Sequence, residues 1–150
     1  MGKRRPPKSL TRVVLDASTL IKIVLPEDNE ENIKEALALF RQFTRRELII
    51  LLPSFWSYEV GNILMRKLPI GLFVEKFDFL LSQAFQEYSF NTVENLTIGK
   101  FAKLHQVTFY DASYHLLAIF TDSLFITADK KYFMQFKGDK HLLLLGDIKF

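Results

Sequence analysis

The sequence predicts an α/β fold in three layers, with a central, mainly parallel β-sheet between two layers of helices. Three observations lead there. Short apolar runs alternate with helical segments along the whole chain, an order that suits parallel strands joined by crossover helices. The run LIILLP at 48–53 is continuously apolar, as a strand covered on both faces must be. A length of 150 residues suits one core, so residues 11–150 are expected to form a single domain behind a basic tail at 1–10.

Each element can be justified in turn. RVVLD (12–16) is a buried strand ending in an acid, and ASTLIKIVL is a short helix stopped by Pro26 and a polar stretch. A helix from about 30 to 45 follows, its face marked by Ile33, Ala36, Leu37, Phe40 and Thr44. After LIILLP, Ser54 is placed to cap a helix carrying Trp56, Tyr58, Glu59, Asn62, Ile63 and Arg66. Pro69 and Gly71 break the chain before a helix from 72 to about 87. YSFNTV is a weakly marked strand, ENLTIGKFAKLH a helix, and FYDASYHLLAIF an apolar helix with Asp111 at its mouth. SLFIT (123–127), KKYFMQF and HLLLLGD complete the alternation as strand, short helix and strand.

Composition narrows the chemistry. Hydrophobic residues make up 49% and charged ones 25%, an ordinary globular balance. Fifteen Phe against one Trp suggests a core built on Phe. With no cysteine, disulfides, Cys-ligated zinc and thiol nucleophiles are excluded. The net charge of +3 is largely a property of the tail, where Lys3, Arg4, Arg5 and Lys8 cluster beside Pro6 and Pro7. That tail reads as an extended, solvated arm. No apolar run approaches the roughly 18 residues of a membrane span, and the N-terminus lacks a signal-type segment. The expectation is a cytoplasmic protein with no membrane partner.

The acids at the strand ends carry the functional signal. In open parallel sheets, ligands bind outside the carboxyl ends of the strands. Asp16 closes the first strand, Glu59 lies on the helix after LIILLP, Asp111 opens the helix leading into SLFIT, and Asp129 follows SLFIT. Parallel strands bring all four to one end of the sheet. Each has an ordinary structural reading alone. Asp16 and Asp111 suit helix caps, Glu59 an exposed helix acid, and Asp129 a turn. Together they form a repulsive cluster that Mg²⁺ or Mn²⁺, which prefer hard oxygen ligands, would relieve. Such an ion supplies the chemistry of phosphodiester hydrolysis.

Other chemistries lack their residues. A haloacid-dehalogenase-type phosphatase needs a second Asp two residues after the first, where Ser18 stands. The phosphate loop, dinucleotide turn and nucleophile elbow are missing, and His105, His115 and His141 show no metal-ligand spacing.

VVLDASTLIKIVLPED, LLPSFWSYEVGNIL, VTFYDASYHLLAI and LFITADKKYF resemble, in order, the four motif regions of PIN-domain proteins, most closely the VapC-type toxin ribonucleases of toxin–antitoxin pairs. The resemblance covers nearly all of the chain after the tail. It implies a PIN-like α/β/α fold and a Mg²⁺- or Mn²⁺-dependent endoribonuclease, with Asp16, Glu59, Asp111 and Asp129 as catalytic and metal-binding residues. It also implies supporting roles for Thr127 and Asn62, an RNA substrate, a cognate antitoxin and a homodimer. The alternative is a catalytically silent PIN module that acts as an RNA- or protein-binding scaffold.

Three further residues stand near this site. His115 replaces the aliphatic residue more usual in the family, and a partly buried helical His is a simpler reading than a proton relay. Lys22 and Lys130 flank the acids, as surface lysines or as phosphate contacts. In the helix at 72–87, Leu72 and Phe79 fall within the polar arc and are candidates for a subunit contact.

Overall fold

A computed structural model describes residues 10–26 and 31–149. The expected basic arm, apart from Leu10, and the polar residues 27–30 lie outside the described residues. The strands are β1 (Thr11–Leu15), β2 (Leu48–Pro53), β3 (Gln86–Tyr88), β4 (Leu124–Thr127) and β5 (Leu142–Leu144). They form one parallel sheet in the order β3-β2-β1-β4-β5. Seven α-helices flank it among the described residues: α1 (Ala17–Val24), α2 (Ile33–Thr44), α3 (Trp56–Lys67), α4 (Ile70–Leu81), α5 (Thr92–His105), α6 (Phe109–Phe120) and α7 (Lys130–Gln135).

The strand order sets the layers. From β1 the chain steps outward to β2 and then β3, so right-handed crossovers put α1 to α4 on one face. It then returns across β1 to β4 and steps out to β5, which puts α5 to α7 on the other. Contacts agree: α1 packs on α2 and α3, α3 on α4, and α5 on α6. This is the three-layer α/β fold expected. All strands end at the same edge, and that edge carries the acids.

Several details differ from the expectation. Ser54 is an exposed turn residue, and α3 starts only at Trp56 behind Phe55, which makes no side-chain cap. The Ser54 N–H donates instead to the Tyr88 carbonyl, 2.8 Å away, so it extends the β2–β3 edge. The helix expected to reach residue 87 ends at Leu81. Ser82 and Gln83 cap it by hydrogen-bonding back to the Asp78 and Phe79 carbonyls. The edge strand is therefore QEY rather than YSFNTV. Phe85 drives this reversal, since its ring packs edge-on against buried Trp56, 5.4 Å between centroids.

The core is not built on Phe. Its buried members are mainly Leu, Ile, Val and Ala, and among the described residues Phe125 is the only fully buried phenylalanine. Strands covered on both faces favour β-branched and Leu side chains. Phe40, Phe43 and Phe85 belong to half-buried belts where helices meet the sheet, and Phe79, Phe109 and Phe120 are exposed.

Candidate active site

Asp16 is the most embedded of the four acids, at 6% exposure. It caps α1, as its helix-start position allows, with Oδ1 accepting from the Thr19 N–H (3.0 Å), the Thr19 hydroxyl (2.8 Å) and the Ser18 hydroxyl (2.9 Å). Oδ2 accepts from the Thr127 hydroxyl at 2.9 Å, across the β1–β4 pair. Among the described residues, one acceptor position remains on Oδ2. Capping and membership of the cluster are thus compatible.

Asp129 caps α7 in the same way, accepting from the Tyr132 N–H at 3.0 Å. Its own N–H donates to Thr127 Oγ1 at 3.1 Å. Thr127 therefore links two of the acids. Asp111 does not cap α6; Thr108 does, and its hydroxyl accepts from the Asp111 N–H at 3.0 Å. That leaves the half-buried Asp111 carboxylate in the first turn, where the helix dipole favours negative charge.

Glu59 is half-buried in the first turn of α3, and its Oε2 accepts from the Tyr114 hydroxyl at 3.2 Å. Burial pushes its pKa up to about 7; the Tyr114 bond opposes this, and the charges of Asp111 and Asp16 add to it. Asp111 is likewise raised, first by burial and then by Asp16 and Asp129, against the pull of the Thr108 hydroxyl on the carboxyl. Glu59 feels Asp111 and Asp16, and Asp111 feels Asp16 and Asp129, so the four acids share one electrostatic neighbourhood.

Sequence reasoning missed Tyr114 and Tyr132. Tyr114 is fully buried three residues after Asp111, and its hydroxyl is pushed well above its ordinary pKa by burial and the carboxylates, so it serves as a donor. The spacing was the available signal: i, i+3 on one helix places Tyr114 on the Asp111 side. Asn62 is exposed on α3. His115 is fully buried rather than partly so. Lys22 is also buried, at 7% exposure, and Lys130 pairs with Glu31 at 2.9 Å.

The donor set suits a hard divalent cation: carboxylate oxygens whose charged forms burden one another. Among the described residues, however, no three His, Asp or Glu side chains are gathered into a single ligand set. Glu59 turns to Tyr114, and Asp16 to the hydroxyls of Thr19 and Thr127.

No protein-family model and no curated protein matches the sequence. Solved structures do resemble it. The crystal structure of PAE2754 from Pyrobaculum aerophilum aligns over 90% of this chain and 84% of its own, with a TM-score of 0.63 and 20% identity. VapC20 of Mycobacterium tuberculosis, described as a sarcin–ricin-loop-cleaving toxin, aligns over 77% of this chain and 87% of its own, at TM-score 0.59 and 11% identity. VapBC2 from Rickettsia felis, solved on a DNA fragment from its promoter, aligns over 89% and 97%, at TM-score 0.61 and 16% identity. At these identities the likeness is one of fold.

Proposed function

We propose that this chain, whose fold is the PIN-like one of those toxin structures, is a divalent-metal-dependent endoribonuclease and the toxin of a toxin–antitoxin pair. The observation that supports it best is the electrostatic burden that burial and the neighbouring acids, Asp16 and Asp129 among them, place on Glu59 and Asp111 at the carboxyl edge of the sheet. These four would hold Mg²⁺ or Mn²⁺. Such an ion supplies polarisation of a phosphodiester and acidification of water.

The chain's own residues do the positioning. Thr127 fixes Asp16 and the backbone of Asp129, and Tyr114 fixes Glu59. Asn62, exposed one turn beyond Glu59, stands on the solvent side where substrate would approach.

The likeness to VapBC2 favours an antitoxin partner. A homodimer in the cytoplasm completes the reading. Leu72 and Phe79 on α4 are 38% and 44% exposed, as a subunit contact needs, though the Phe79 ring also leans on Phe40. Sedimentation of the purified chain at micromolar concentration is expected to give the dimer mass; a monomer counts against it. No helix among the described residues is long and apolar enough to cross a membrane.

The test is cleavage of a mixed single-stranded RNA pool with Mn²⁺, Mg²⁺ or EDTA, alongside Asp111→Asn. Metal-dependent cutting that falls to the EDTA level in the variant is the expected result. The ungathered carboxylates favour a second reading, a silent PIN module that binds without turnover. Under that reading no preparation cuts, whichever metal is added.

A further inference from the structure

His115, in the middle of α6, is fully buried, and the proposed cleavage chemistry does not use it. Its Nδ1 lies 2.8 Å from the Tyr132 hydroxyl on α7. Its Nε2 lies 3.1 Å from Asp139 Oδ2, in the segment after α7. Asp139 is itself fixed, because Oδ1 accepts from the His141 N–H at 2.8 Å. Phe101, Phe125 and Phe136 wall the imidazole, with centroids 5.8, 6.0 and 5.1 Å away. Burial lowers the histidine pKa, against the pull of Asp139, and so favours the neutral ring. A neutral ring has one N–H. With Asp139 a carboxylate, Nε2 carries the proton and Nδ1 accepts from Tyr132.

Tyr132 is the lever in this arrangement. Its hydroxyl is tied to His115, one helical turn beyond Asp111, while its backbone N–H donates to Asp129 Oδ1 at 3.0 Å. The Asp129 N–H bonds Thr127, whose hydroxyl donates to Asp16. Hydrogen bonds therefore link Asp139, His115, Tyr132, Asp129, Thr127 and Asp16 in turn, carried across Tyr132 and Asp129 by their covalent frames. Helix α7 has only six residues, too few to hold an orientation by itself. The side-chain bond from Tyr132 to His115 gives it a fixed point on α6.

We propose that the Asp139–His115–Tyr132 chain, buried except at its partly exposed Asp139 end, positions Asp129 against Asp111, and so sets the affinity of the acidic edge for a divalent cation. Tyr132 and His115 are positioning residues: their side chains bond each other, and Tyr132 reaches Asp129 through its backbone N–H. This rests on the reading of the four acids as a cation site.

The test is isothermal titration of Mn²⁺ into the full-length wild type, Tyr132→Phe, His115→Gln and Asp129→Asn, with melting of each in EDTA as the fold control. Tyr132→Phe keeps the ring and deletes only the hydroxyl. Its Mn²⁺ dissociation constant is expected to rise about tenfold, the loss usual for a support behind a metal ligand. Its melting temperature in EDTA is expected to move by only a few degrees. If Tyr132→Phe does not fold, His115→Gln is judged by the same criterion. An affinity within about twofold of wild type, while Asp129→Asn binds weakly, overturns the positioning role and leaves the cation site standing. Wild type that binds no Mn²⁺ overturns the cation site itself and this inference with it.

Discussion

Glu59→Gln is expected to melt at a higher temperature than wild type in EDTA at pH 8, and to lose metal-dependent RNA cleavage. At that pH the Glu59 carboxylate is charged, half-buried and beside Asp111 and Asp16. Glutamine keeps an acceptor for the Tyr114 hydroxyl and removes the charge. Screening by solvent at this open edge limits the gain to about 1–2 kcal/mol, well below what the shifted pKa alone would give. In a domain of this size that is about 3–6 °C, readable by differential scanning fluorimetry. A variant that is inactive but less stable than wild type would mean that the Tyr114 bond, and not repulsion, governs this residue.

The second large effect is in pH. Mn²⁺ affinity is expected to fall roughly 30-fold between pH 8 and pH 5.5, because a cation must displace the proton that Glu59 holds below about pH 7. Asp111, raised in the same sense, steepens the fall. Calorimetry in two buffers of different ionisation enthalpy should show proton release on binding at pH 6.5. A flat affinity across this range would remove Glu59 from the ligand set. The metal-free protein has the opposite dependence. A carboxylate whose folded pKa is raised contributes stability that is full below its ordinary value of 4.5 and lost as pH rises through about 7. His115 works against it: with a lowered folded pKa, it loses stability as pH falls below its ordinary 6.5. The difference between wild type and Glu59→Gln across pH isolates the carboxylate.

Much of this was legible in the residues because the strong signals are local and periodic. LIILLP and SLFIT announce buried strands, and an acid just past a strand end needs no tertiary knowledge to be placed at that edge. The edge strand QEY was invisible: three residues, mostly exposed, carry no apolar pattern, and only pairing with β2 and the Trp56–Glu87 bond at 2.8 Å define it. Ser54 has the right chemistry for a cap but is used by the β3 edge instead. The phenylalanines misled because their count says nothing of where the rings go; on short two-sided strands they are displaced to the belts around the core. Within the site, the acids could be picked by chain position. Tyr114 and Tyr132 matter through where their hydroxyls end, which only packing decides.

The strand order has a consequence for how the protein is made. The Thr127–Asp16 bond joins residues 111 positions apart, and β4 pairs directly with β1. A nascent chain that has reached the end of α3 already contains Asp16 and Glu59, yet its β1 has an open edge where β4 belongs. Closing that edge requires the longest chain return in the sheet, and such distant pairings come late and at high loop-closure cost. The four acids are thus brought to one edge only when β4 has docked on β1. Any product released before residue 129 carries an unfinished set.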